Sequence, residues 1–209
     1  MKTKKLITLA LSAAMISAAV VSVSAATLTQ DDPDGKTEVI ATIKGSVPEG
    51  ITYEIKIPDV IDFGELTQPT TNTDSYKTVN YSLRLNKLTG DNFNPGTQQI
   101  SVYVKDQNAK PNGDDVRFYI ANKENSDIKF QYDVYDKVVN PEDIGTISNL
   151  NAGSMTKTKG FFLCDFYFEG QEMSGTLSIN QSQLYGRDIL DIAGDYSGYM
   201  LFYSTIENS

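Results

Sequence analysis

The sequence predicts an all-β protein, an antiparallel two-sheet β-sandwich of Ig-like or jelly-roll-like kind with about eight to ten short strands. Three observations point there. Beyond position 36, apolar residues recur at every second position, the period of a strand with one dry and one wet face. The same runs are rich in β-branched and aromatic residues, which suit a pleated, half-buried surface. Between them, Pro, Gly and Asn mark turns.

In chain order, ITYEIKIP sets Ile51, Tyr53, Ile55 and Ile57 on one face and Thr52, Glu54 and Lys56 on the other. Pro58 ends that strand, because it has no N–H for a ladder. TQPTTNTDSYKT reads as a polar loop. NYSLRLNKL then turns Tyr81, Leu83 and Leu85 inward, and QISVYVK does the same with Ile100, Val102 and Val104. KPNGDD holds Asn112-Gly113, a strong turn signal because both residues tolerate positive φ. IKFQYDVYD opposes Ile128, Phe130, Tyr132 and Val134 to Lys129, Gln131, Asp133 and Tyr135; VVNPEDIG breaks the pattern. FFLCDFYF puts Phe162, Cys164, Phe166 and Phe168 on a face opposite Asp165 and Tyr167. Gly90, Gly145, Gly170 and Gly175 fall at or near strand ends, and NQSQLYGRDILDIAG has room for a helical turn. Two packed sheets account for this better than a closed barrel. The loop near residues 67–78 separates too few strands to bound a second domain, so residues 46–209 read as a single sandwich domain.

The chain opens MKTKK and continues LITLALSAAMISAAVVSVSAA. A cationic start, an apolar run and a small-residue exit make residues 1–25 a secretory signal peptide. The run is long enough to span a bilayer, but it is rich in Ser and Ala and no basic cluster follows it. The expected contact with a membrane is therefore through the signal peptide alone, before cleavage. The mature chain is expected to be secreted, extracellular or at the cell surface. The formal charge is −9, and the leader carries three lysines without an acid, so its removal leaves a still more acidic chain. Such a surface disfavours nucleic acid and anionic lipid, which are bound by Lys and Arg. Cys164 is the only cysteine, which excludes an internal disulfide. Among aromatics and with no cation beside it, it reads as a small buried hydrophobe rather than a reactive thiol. A secreted chain without disulfide staples suggests a Gram-positive type of exterior.

Enzymatic signatures are scarce. The chain has no histidine, so Ser-His-Asp and Cys-His systems are excluded and a zinc site has few ligands to draw on. No Gly-rich phosphate loop is present. Paired carboxylates could still hydrolyse a glycoside, with Asp133, Asp165 and Glu169 as candidates, although alternation places Asp133 on a wet face. DDPDG does not match a calcium loop: aligning Gly35 to its glycine leaves Gln30 and Ala41 where the first ligand and the bidentate acid belong. The expectation is a non-enzymatic protein without catalytic residues, metal or cofactor. Twelve tyrosines keep a glycan-binding surface in play, with Tyr103, Tyr135, Tyr185 and Tyr199 as its exposed candidates, though the absence of Trp weakens it.

Three stretches resemble a known group. EGITYEIKIPDVIDFGEL resembles the opening strand of Gram-positive surface modules, DIAGDYSGYMLFYS resembles the approach to their last strand, and ATLTQDDPDGKTEVIATI resembles the acidic, Thr-rich start that follows their signal peptides. The group is that of bacterial secreted Ig-like and WxL-like surface β-sandwich proteins, including pilin-like subunits of extracellular fibres. The chain has no Trp, so a WxL domain itself is absent, and neither an LPxTG-like sorting sequence nor an isopeptide-domain YxLxET box is found. The resemblance implies a structural or adhesive role outside the cell. In AGDYSGY, Tyr196 between Gly194 and Gly198 has the setting of a tyrosine corner, whose hydroxyl would fix a sheet-to-sheet crossing.

Residues 26–45 form an N-terminal arm or a first strand. In TEVIATIKG, Val39, Ala41 and Ile43 make one side and Ile40 and Thr42 the other. The segment either returns to its own sheet, as sequential elements usually do, or pairs with the edge of a neighbour. Donation to a neighbour would associate copies head to tail, and such a contact does not close on itself. The expected function is thus a pilin-like subunit of an extracellular fibre or biofilm matrix. The alternative is a monomeric adhesin that takes a host or matrix glycan or protein as its ligand.

Overall fold

Alternation becomes nine strands in the computed structural model, which describes residues 50–109, 116–153, 155, 156 and 158–208. They are β1 (Thr52–Lys56), β2 (Tyr76–Thr89), β3 (Gln98–Asp106), β4 (Phe118–Asn122), β5 (Lys129–Tyr135), β6 (Phe161–Phe166), β7 (Glu172–Asn180), β8 (Tyr196–Ser197) and β9 (Met200–Asn208). A six-stranded sheet has the order β1-β2-β7-β5-β4-β8, and a three-stranded sheet the order β6-β3-β9. All pairings between these strands are antiparallel. The fold is an all-β, two-sheet sandwich, and its two sheets are unequal.

The core lies where the alternating faces meet. Tyr81, Leu83 and Leu85 of β2 and Leu177 and Ile179 of β7 face Ile100, Val102 and Val104 of β3, with Phe118, Phe130, Tyr132, Val134, Phe161 and Phe166 in the same cluster. Full burial of one such side chain is worth about 1.5–3 kcal/mol before conformational entropy is counted. The stretch 181–192 holds a 3-10 turn, Gln181–Leu184, and a single helical turn α1, Ile189–Ile192, capped by the Asp188 side chain on the Leu190 amide. The Asn112-Gly113 turn, the signal peptide and the segment Val39–Ile43 lie outside the described residues.

Four expectations are corrected. The face assigned to FFLCDFYF breaks at a bulge: Val102 pairs with Cys164, but Tyr103 pairs with Phe162. The extra residue, Leu163, reverses the parity. Phe161 and Leu163 are therefore buried along with Phe166 while Phe162 is exposed, and Phe168 is exposed in the turn beyond β6. Gly175 lies inside β7 rather than at a strand end, where the Tyr81 ring and the Tyr135 carbonyl occupy the place of a side chain. Tyr135 and Asp133 belong to the outer face of the large sheet, yet neither is freely solvated. The segment after β5 folds back over that face. Tyr135, Val139 and Ile144 form a second small core there, and Thr176 accepts the Val139 amide at 3.0 Å while donating to Asn80 at 2.8 Å.

Candidate functional site: an open flank between the first and last strands

The two sheets end differently on their two flanks. At the β6 end of the small sheet, Phe161, Leu163 and Phe166 are at most 2% exposed, and the 3-10 turn Leu150–Ala152 packs beside them. At the β9 end the core-facing side chains are only half covered. Met200, Phe202 and Ile206 of β9, and Tyr53 and Ile55 of β1, pack on the core as its partly exposed margin. The Tyr53 hydroxyl meets Ser204 Oγ at 3.1 Å, so β1 and β9 face each other across this opening. β9 is nine residues long and, among the described residues, no strand pairs with its outer edge. Such an edge is a row of amides and carbonyls ready to take another strand.

The chain direction at this flank follows from the register. Thr52 pairs with Thr89, so β1 begins at the end of the sandwich where β2 finishes. Gln98 pairs with Asn208, so β3 begins and β9 finishes at that same end. The polypeptide upstream of Gly50 therefore arrives beside the C-terminal end of β9.

Sequence-selected structural residues gather at the other end of β9. Tyr196 lies on β8, paired to Asn122 of β4. Its hydroxyl donates to the Ile192 carbonyl at 2.6 Å, and its ring lies 5.1 Å from that of Phe130. Two residues later the chain crosses to β9 in the small sheet, so the bond stands at a sheet-to-sheet crossing. Gly194 has φ of 139° and a β-carbon there would sit 2.8 Å from Asn122 Nδ2; one on Gly198 would strike the Tyr119 carbonyl. The three residues are thus brought together around β4 and Asn122, whose Oδ1 also accepts the amides of Glu124 and Asn125.

Asp133 is held apart from the candidate carboxylate Asp165. Asp133 lies on the outer face of the large sheet, opposite Ser178. Asp165 lies on the outer face of the small sheet, accepting from Ser101 Oγ at 2.7 Å. Glu169 caps the β6–β7 turn, where it accepts the Leu88 amide at 3.1 Å. Two outer faces of a sandwich are separated by more than the roughly 5–9.5 Å that a glycosidase pair spans. Burial lifts Asp133 above the ordinary carboxylate range, against hydrogen bonds from Gln131 and Asn149. Burial likewise pushes the Cys164 thiol up to about 12, with Asp165 and Asp136 adding to it. Among the described residues no group of three or more Asp, Glu or Cys is placed to hold a metal ion, and no helix is long and apolar enough to cross a membrane.

Of the four candidate surface tyrosines, Tyr185 and Tyr199 are exposed, whereas Tyr103 and Tyr135 are buried. Tyr103 nonetheless anchors a feature that alternation could not disclose. Register places Phe162, Tyr103 and Tyr203 side by side across β6, β3 and β9 on the outer face of the small sheet. The Tyr103 ring centre is 5.8 Å from that of Phe162 and 6.4 Å from that of Tyr203. Lys159 lies over the Tyr103 ring and pairs with Glu207, which also accepts the Tyr103 hydroxyl. Only cross-strand register aligns these residues, which is why a one-dimensional pattern missed them.

No protein-family model matches the chain, and no curated protein matches it. A solved structure to which the chain shows low similarity comes from work on a chaperone–tip adhesin complex in the biogenesis of CFA/I fimbriae. It is 13% identical, with a TM-score of 0.42, over 73% of this chain and 41% of that one. The chain thus spans less than half the length of that protein.

Proposed function

We propose that this chain is a secreted, non-enzymatic structural protein of a Gram-positive type of cell exterior, related to the Ig-like surface proteins its sequence resembles. In this reading it is a pilin-like subunit of a fibre or biofilm matrix, joined head to tail through its N-terminal strand. The observation that carries the proposal is the open flank between β1 and β9. A long edge that no strand pairs with among the described residues, beside half-covered core residues, can accept a strand by backbone hydrogen bonding, with side chains filling the gap. A donor that reaches from one copy to the next builds a filament, because the contact is not self-closing. The separation of Asp133 from Asp165 and the lack of histidine support the non-enzymatic part.

Light scattering with negative-stain microscopy tests the proposal on two forms of the protein, one beginning at Ala26 and one at Gly45. Filaments from the longer form and folded monomers from the shorter are expected. A longer form that stays monomeric under all conditions of concentration and salt overturns the fibre. The second reading, a monomeric adhesin, is favoured by the exposed rings of Phe162 and Tyr203, which flank the buried Tyr103 on the outer face of the small sheet. Binding on a glycan array that is lost in Phe162→Ala would support it.

A further inference from the structure

The outer face of the small sheet gathers aromatic rings and charged groups across three neighbouring strands. Phe162 on β6 and Tyr203 on β9 stand on either side of Tyr103 on β3. The two outer rings are 48% and 37% exposed, against 8% for Tyr103. They are inclined to the Tyr103 ring by 76° and 51°, so neither lies flat on it. Lys159 lies over Tyr103 instead, with Nζ 5.1 Å from the ring centre. Glu207 pairs with that ammonium and accepts the Tyr103 hydroxyl, which fixes a donor and an acceptor beside the two open rings. An open ring offers its face to the C–H groups of a sugar. A few fixed polar groups among such rings orient a ligand, and an ammonium and a carboxylate both keep bonding capacity for hydroxyls after pairing with each other. Charge narrows the choice of ligand. The chain's net −9 repels sulfated or uronic polymers, whereas Lys159 and Glu207 cancel each other locally. Since β6 and β9 are each one strand from β3, their outward side chains start roughly 9–10 Å apart. A single sugar ring cannot lie on both rings at once, but an extended chain can.

We infer that this face binds a neutral, extended glycan laid across the strands. Phe162 and Tyr203 each stack on one pyranose, and Lys159 and Glu207 bond to the hydroxyls of the stretch between them. This deepens the adhesin reading and rests on it, and it holds whether or not copies of the chain join into a fibre.

Calorimetric titration of the protein tests this, with a glycan array followed by ladders of cello- and chito-oligosaccharides from monosaccharide to hexasaccharide, and with heparin as an anionic control. Binding is expected to be undetectable for the monosaccharide and to set in once the chain is long enough to reach both rings. Phe162→Ala and Tyr203→Ala are each expected to weaken it about tenfold, in the range of a lost ring contact. Tyr203→Phe should keep it, which separates a lost ring from a lost fold, and Glu207→Gln should weaken it. Tyr185→Ala, an exposed tyrosine outside this face, should leave it unchanged. A glycan bound equally well by both alanine variants overturns the inference while the adhesin reading stands. Preference for heparin, or capture of a proline-rich peptide at these rings in place of any glycan, overturns it too. No neutral glycan bound on either the array or the ladders overturns the inference together with the glycan form of the adhesin reading.

Discussion

A β-carbon on Gly175 would strike the Tyr81 ring and the Tyr135 carbonyl at once. Those two groups are themselves bonded, the Tyr81 hydroxyl donating to that carbonyl at 2.9 Å. Glycine at 175 is thus a condition for a buried tyrosine to reach a backbone acceptor on the far side of its own sheet. Gly175→Ala is expected to cost about 1–3 kcal/mol, the usual range for overpacking a filled site, as a lower urea midpoint at unchanged slope. Asp133 carries a different prediction. Its folded-state affinity for a proton exceeds that of the unfolded chain, because burial penalises the carboxylate. Its contribution to stability is therefore fullest in acid and is lost as pH rises through its raised value. Glu207 runs the other way. Burial would lift it, but hydrogen bonds from Lys159 and Tyr103 outweigh that and hold it below its ordinary value, so its contribution is lost as pH falls. Replacing Asp133 by Asn should flatten the decline in stability from about pH 4 upward, measured by denaturant titration across pH, while leaving the acid limb governed by Glu207 in place.

At the scale of elements, strand identity followed from alternation but strand faces did not always. The extra residue Leu163 in β6 put Phe161 rather than Phe162 in the core, and a second register shift against β1 lets Leu88 join Leu83 and Leu85 on the core side. Bulges are set by pairing with a particular neighbour, and a period read along one strand is blind to them. Just before the crossing from β8 to β9, Tyr196 ties β8 back to the end of α1 through the Ile192 carbonyl. Tyr196→Phe should leave the Ile192 carbonyl without its donor at a cost of about 1–2 kcal/mol. Hydrogen exchange should quicken across residues 189–199 and remain slow in β3, a result that separates a local tie from a global loss. Asp106 joins the sheets in a similar way: almost fully buried, it accepts the Asn108 amide at 2.7 Å and the Tyr119 amide at 3.1 Å.

At the scale of the whole molecule, the described residues set six strands against three, with the β6 flank covered and no strand beside β9 among them, and this bears on both assembly and opening. Cys164 reports on it. The thiol is partly buried on a strand of the closed flank, with its pKa pushed up to about 12. Labelling by a thiol reagent near neutral pH should follow global unfolding, with a rate that rises with urea in step with loss of the fold. Fast labelling in the absence of denaturant would mean that the β6 flank opens by itself. Removing residues before Gly45 should lower the urea midpoint if that segment returns to its own sheet, and leave it unchanged if the segment serves a neighbour.

Alternating apolar residues, turn chemistry and the lack of helical periodicity were enough to determine an antiparallel sandwich of about this many strands, because side-chain direction in a strand is a local property with a period of two. The inward positions of Tyr81, Leu83, Leu85, Ile100, Val102 and Val104 were legible for that reason. The tertiary structure alone decided strand order, the bulge at Leu163, the covering of Asp133 and Tyr135, the aromatic row on the small sheet and the open edge of β9. Each of these depends on which distant segment lies alongside, and register between strands is fixed by their packing together, not by either strand alone.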